Sequence, residues 1–194
     1  MPTPQEKSLR ILQEERLFAA ALAAQVIDRP RLSIWMILIP IIFVFFFYRF
    51  QKYAAGKKTF ADNYLISRQR ALEEALAVVE SGRLPDVARL LPQDNPPAET
   101  RRSHLELLEI LVDHFTDLLR ADGEGFAALV RSAYKNRINY LLFINRLNRA
   151  EMALNRVLVE QLRATTSAVD TIVGAIEQAS DQLRREQAVA IFGN

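Results

Sequence analysis

An all-α protein attached to a membrane is the fold class this sequence predicts, and three observations predict it. Seventeen consecutive residues, Leu32 to Tyr48, carry no charge. Long stretches of helical period are punctuated by the few prolines and glycines, 8 and 6 in 194 residues. A 4,3 alternation of apolar residues runs through the last third, as in a helix-pairing seam. In order along the chain, these imply an N-terminal amphipathic helix (1–29), a membrane segment (30–53), a membrane-proximal helical hairpin (54–91), a proline-rich linker (92–99) and a C-terminal helical or coiled-coil domain (100–194). The expected architecture is one short hydrophobic membrane helix followed by helical hairpins and a long C-terminal coiled-coil-like helix or bundle.

The first helix opens at Thr3-Pro4-Gln5-Glu6, which has the form of a capping box: threonine at the N-cap, proline in the first helical position, glutamate in the third. Its apolar residues Leu9, Leu12, Leu17, Phe18, Leu22 and Val26 give a broad face, and Asp28-Arg29-Pro30 stops it. Such a helix either packs on the rest of the protein or lies on a membrane surface beside the anchor.

The segment LSIWMILIPIIFVFFFY leaves no helix face for water. Trp35 near one end and Tyr48 at the other, with Phe45 between, match an interfacial aromatic pattern, and Arg49 and Lys52 follow as a basic flank. About thirty residues of mixed charge precede it, unlike the short basic region of a cleavable signal. As a helix, its 17 residues rise about 25 Å against a hydrocarbon core of about 30 Å. Pro40 at the centre bends a membrane helix without forbidding it. A single kinked span is the first reading, with a re-entrant insertion turning at Pro40, or a core helix of a larger complex, as alternatives. Three basic residues in the twenty before Leu32 and five in the twenty after Tyr48 place the C-terminal part in the cytoplasm of a cell-membrane protein.

Beyond the anchor the helical pattern resumes and ends at Ser81-Gly82, where glycine can take the left-handed position. ALEEALAVVESGRLPDVARLL reads as helix, turn and a second short helix begun by Pro85. In its small residues and glycine it resembles one unit of the tetratricopeptide type, but over about twenty residues without repetition, so no stacked architecture follows. Pro92, Pro96 and Pro97 mark the linker. An acidic helix then runs from Ala98 to Arg120 and breaks at 121–125.

From Phe126 no proline intervenes before Gly193, so one helix of some sixty residues is expected. Its helix-pairing seam is Leu158, Leu162, Val169, Ile172, Ile176 and Leu183. Leu154, Leu158 and Leu162 step by 4 and 4, a stutter, while Thr165-Thr166-Ser167 with Asp170 offers a break between two helices instead. Residues 126–163 hold seven basic and two acidic side chains, so this helix should fold back on the acidic one. Asn145, Asn148 and Asn155 share a stripe that would fix register if buried.

The chemistry excluded is broad. With no cysteine there is no disulfide, thiolate metal site or cysteine nucleophile. Twenty-five basic against 23 acidic residues is too balanced for a protein that neutralises phosphates, so no nucleic-acid partner is expected. His104 and His114 lack a glutamate three residues earlier, and Glu109, Asp113 and Asp117 read as a solvated acidic face. Phosphate loops and hydrolase or metalloprotease motifs are missing.

The expectation is therefore a non-enzymatic, membrane-anchored scaffold or assembly subunit without cofactor or metal. Its partners are the lipid bilayer and, through the C-terminal helices, another protein or a second copy. A signal-transmitting component using the stuttered coiled coil is the alternative, and a helical-bundle metal protein a weaker one.

Overall fold

A computed structural model of the chain describes residues 2–27, 56–91, 96–162 and 169–193. Among these the secondary structure is helical, with no strand: α1 (Pro4–Ile27), α2 (Gly56–Ser81), a 3-10 turn (Val87–Leu90), α3 (Ala98–Arg120), α4 (Phe126–Tyr134), α5 (Arg137–Leu162) and α6 (Val169–Phe192). Trp35, Pro40, Phe45, Tyr48, Arg49 and Lys52 lie outside the described residues. Among those described, no helix is long and apolar enough to cross a membrane.

The capping box forms as expected. Glu6 N–H donates to Thr3 Oγ1 at 3.2 Å, and Thr3 N–H donates to Glu6 Oε2 at 2.8 Å. The buried stripe of α1, however, is Lys7, Ile11, Glu15, Ala19, Leu22 and Val26, while Leu9 and Leu17 are 68% and 57% exposed. Two charged residues displace two leucines because each finds a partner. Lys7 Nζ donates to the carbonyls of Leu119 and Ala121 at 3.0 and 2.7 Å, satisfying the C-terminal end of α3, and Glu15 meets an arginine of α2.

α1 and α2 are antiparallel. Gln5 bonds to Glu80, Glu15 pairs with Arg68, and Phe18 stacks on Tyr64 at 5.9 Å, so rising numbers on one meet falling numbers on the other. Small buried residues, Ala19 and Ala23 on α1 and Ala71 and Ala75 on α2, suit close approach of the two helices. Ile27 and Gly56 therefore sit at the same end of the bundle.

Gly82 takes φ +69° and closes α2 by donating to Val78 O at 2.9 Å. Glu74 then gathers the turn, accepting both Arg83 nitrogens and the Asp86 N–H, each at 2.7 Å. The short helix expected after Pro85 is the 3-10 turn. The prolines around it do not divide the molecule. Ile11, Ala71, Phe115, Leu129, Leu147 and Ala188, one from each of the six helices, belong to one buried cluster, so the boundaries drawn at 54–91, 92–99 and 100–194 do not separate independent cores.

α3 is buried on most of its circumference, and its acidic residues Glu106, Glu109, Asp113 and Asp117 form the exposed strip. It packs antiparallel to α5, as the charges implied, but the described contact is aromatic: His114 of α3 stacks on Phe143 of α5 at 4.1 Å.

The expected sixty-residue helix is three helices. Lys135 adopts φ +67° after α4, and Asn136 Oδ1 accepts the Asn139 N–H at 2.9 Å, a left-handed stop followed at once by an N-cap. α5 then ends at Leu162 and α6 begins at Val169, running back along it. Tyr140 bonds to Gln187, Asn148 to Asp181 and Asn155 to Glu177, so all three pairs fit one antiparallel register. Arg131 and Arg137 donate to the carbonyls of Ile191 and Gly193 at the end of α6.

Gly123, between α3 and α4, has φ +154°, and a Cβ there would lie 2.7 Å from Ala128 Cβ and 2.9 Å from its carbonyl carbon. Gly123→Ala is expected to cost about 1–3 kcal/mol because the obstacle includes backbone. Gly174, inside α6 with open space where a Cβ would point, should respond oppositely, Gly174→Ala adding about 0.5–1 kcal/mol. Thermal unfolding of both variants by circular dichroism checks the pair, and shifts of the same sign would contradict it.

Candidate functional site

The polar centre of the molecule is a layer of charges crossing four helices. Helical period places Glu15 on the inner face of α1, Arg68 with Tyr64 one turn before it on α2, Glu151 with Asn148 three residues before it on α5, and Arg184 on α6. On α1, α2 and α6 the charged residue stands between two hydrophobic clusters. One holds Ile11, Ala71 and Ala188, and the other, at the Ile27–Gly56 end, holds Leu22, Tyr64 and Ala179.

The geometry is closely satisfied. Arg68 donates to Glu15 at 3.0 Å and to Glu151 at 2.8 Å. Arg184 grips both oxygens of Glu151 at 2.7 Å and donates to Tyr64 Oη at 3.0 Å and to Asn148 Oδ1. The Arg68 guanidinium lies 4.6 Å from the Tyr64 ring centre and that of Arg184 5.5 Å from Phe18, within the range of cation–π attraction. The four charged side chains are 5–11% exposed.

Burial alone would raise the Glu151 carboxyl, but Arg184 and Arg68 outweigh it and hold it below the ordinary carboxylate range. Burial lowers the pKa of both arginines, and the facing carboxylates more than restore it, keeping them charged. Burial pushes the Tyr64 hydroxyl up to about 12. Two arginines balance two glutamates, so the layer is electrically neutral and has no spare charge with which to recruit an ion. Its chemistry is cohesion between helices.

Beside it lies a small cavity of about 30 Å³ lined by Arg68, His114, Tyr140, Phe143, Arg184 and Gln187 among others, room for about one water molecule. His114 shares a 2.6 Å hydrogen bond with Tyr134 Oη, and Tyr134, Tyr140, Phe143 and Phe192 continue the aromatic contacts around it. Burial, with the charges of Arg68 and Arg184, lowers the pKa of His114 to about 3. Among the described residues no group of three or more His, Asp and Glu side chains gathers as metal ligands.

The predicted seam is distributed differently from a single-helix stripe. Leu158 and Ile172 are buried in the α5–α6 hairpin, while Ile176 and Leu183 pack half-buried against the cluster of α1 and α2 at the Ile27–Gly56 end. Leu162 and Val169 are the terminal residues of α5 and α6, and their side chains lie outside the described set. The asparagine stripe faces α6: Asn145 accepts from Arg185, and Asn148 and Asn155 bond to Asp181 and Glu177.

The charge layer was missed in the sequence because its bonded members lie 33 to 120 residues apart. The one local signal was a glutamate at 151, four residues after Leu147 and three before Leu154, where the helical period calls for an apolar residue.

On the outside, α5 and α6 enclose an open cleft of about 530 Å³ lined by residues including Asn145, Arg149, Met152, Gly174, Gln178 and Arg185. Ile138, Leu142, Asn145, Arg149 and Met152 repeat at 4, 3, 4, 3 along α5, and the last three of them line the cleft. Ile138, Leu142 and Met152 are 71%, 63% and 43% exposed.

No protein-family model, curated protein or solved structure gives a significant match to the chain.

Proposed function

We propose that the chain is a membrane-anchored, non-enzymatic helical scaffold or assembly subunit, and that it works by helix contact with a protein partner or a second copy of itself. The observation that carries this reading is the exposed 4,3 stripe of α5 beside an open cleft. Apolar residues at heptad spacing are what a partner helix packs against, and here α6 meets the stripe at Asn145, through Arg185, while Ile138, Leu142 and Met152 stay exposed. The uncharged segment 32–48 supplies the attachment, and the charge layer keeps the four helices in fixed relation, as a docking platform requires. A signal-transmitting component is the second reading; its stutter at Leu154, Leu158 and Leu162 lies within α5, and the 4,3 register after it is divided between the antiparallel α5 and α6.

The double variant Ile138→Glu/Leu142→Glu tests the surface. Both side chains are exposed, so stability should change by less than about 1 kcal/mol. Affinity purification of the full chain in mild detergent should yield a stoichiometric protein partner, or a self-associated species by light scattering, which the double variant loses. A monomeric wild-type chain without co-purifying protein, or an association indifferent to the substitutions, refutes the surface.

A further inference from the structure

We infer that the bundle faces the bilayer with its Ile27–Gly56 end and that α1 and α2, the helices on either side of the uncharged segment, lie on the same side of the membrane. This rests on the membrane attachment proposed above and reverses the single-span expectation.

The warrant is the pairing of α1 with α2, the helices that bracket residues 28–55. A single span would place them on opposite sides of about 30 Å of hydrocarbon. They are instead packed along their lengths, with Glu15 bonded to Arg68 at 3.0 Å, Phe18 on Tyr64, and Ile11, Leu22 and Val26 at 0%, 0% and 6% exposure. Separating them would strip α1 of its buried face and leave Glu15 without its arginine. Register then fixes which end faces the lipid. Ile27 and Gly56 are each twelve residues beyond the charge layer, about 18 Å along the helices, and Leu162 and Val169 of the α5–α6 hairpin extend towards the same end.

Length excludes a return by two full crossings, which need about forty apolar residues where 17 are present. Charge supports the shared side. Arg29 and Arg31 precede the segment and Arg49, Lys52, Lys57 and Lys58 follow it, so both flanks carry the basic residues of a headgroup contact. With basic residues on both flanks, the positive-inside rule assigns both to the cytoplasm.

The chain has no native cysteine, which makes the test direct. Gln13→Cys on α1 and Ala190→Cys on α6, both exposed positions, are made singly in the full chain and produced in bacteria. A membrane-impermeant maleimide is applied to spheroplasts and to inverted membrane vesicles. Both cysteines should be modified in inverted vesicles and protected in spheroplasts, at least tenfold in each case. Modification of the two in opposite preparations establishes a span and overturns the inference while leaving membrane attachment intact. Loss of the chain from the membrane pellet after a carbonate wash overturns the attachment itself, and with it the inference.

Discussion

Glu151→Leu is expected to lower the unfolding free energy of the full chain in mild detergent by about 3–5 kcal/mol, the cost of leaving buried cations without their anion. Glu151 is the keystone because it alone serves both arginines, receiving Arg68 at 2.8 Å and Arg184 at 2.7 Å. Its removal leaves Arg184 without an anion and Arg68 with Glu15 alone, although the two guanidinium side chains are only 5% and 6% exposed. Glu15→Leu should cost less, since Arg68 retains Glu151. The sharper test is the fourfold variant in which Glu15, Arg68, Glu151 and Arg184 all become leucine or methionine. A charge layer exchanged whole for apolar side chains of similar volume is often neutral or stabilising, so this variant should recover most of what Glu151→Leu loses. Denaturant or thermal unfolding followed by circular dichroism measures all three. If Glu151→Leu loses less than about 1 kcal/mol, the layer does not bind the helices together.

That layer also marks where reading the sequence stops. Capping chemistry was legible because it is local: Thr3 and Glu6 are three residues apart and meet as their spacing requires, and Gly82 closes α2. The antiparallel return of α5 on α3 was legible from charge and turn, although aromatic rings carry the contact. The face of α1 was misread because hydrophobicity ranked Leu9 and Leu17 above Lys7 and Glu15, whose partners come from α2 and α3. Nothing at position 7 tells of carbonyls at 119 and 121. The stop at Lys135 was passed over because lysine rarely takes a positive φ, though Asn136 after it was a visible N-cap signal. The 4,3 register through Leu158 to Leu183 belongs to two helices, since a period records a buried face without recording whether the chain reverses partway. At the candidate site, the asparagine stripe could be read from spacing, and the arginine–glutamate layer could not.

Acidification should destabilise the protein well above the pH at which its carboxylates titrate. Burial holds His114 at about 3, with help from the charges of Arg68 and Arg184, and holds His104 at about 4, with help from Arg70. In the unfolded chain both return to about 6.5. Below that value the unfolded state binds protons that the folded state refuses, so the stabilisation is complete above pH 6.5 and is lost as pH falls towards the folded values. Each histidine contributes a slope approaching 1.4 kcal/mol per pH unit, and from pH 7 to pH 5 the pair should remove about 3–4 kcal/mol. Glu151 acts in a lower window. Its folded value is depressed below the ordinary 4.5, so its contribution is present above that pH and fades only beneath it. Thermal unfolding of the full chain in detergent at pH 7, 6 and 5 reads the histidine window alone. In His114→Gln the absolute stability falls because the ring stacked on Phe143 is lost, but the decisive quantity is the slope, which should drop by about half, with His104 supplying the remainder. An unchanged slope would mean that His114 is protonated in the folded protein, and hence that the cavity beside the charge layer admits bulk water.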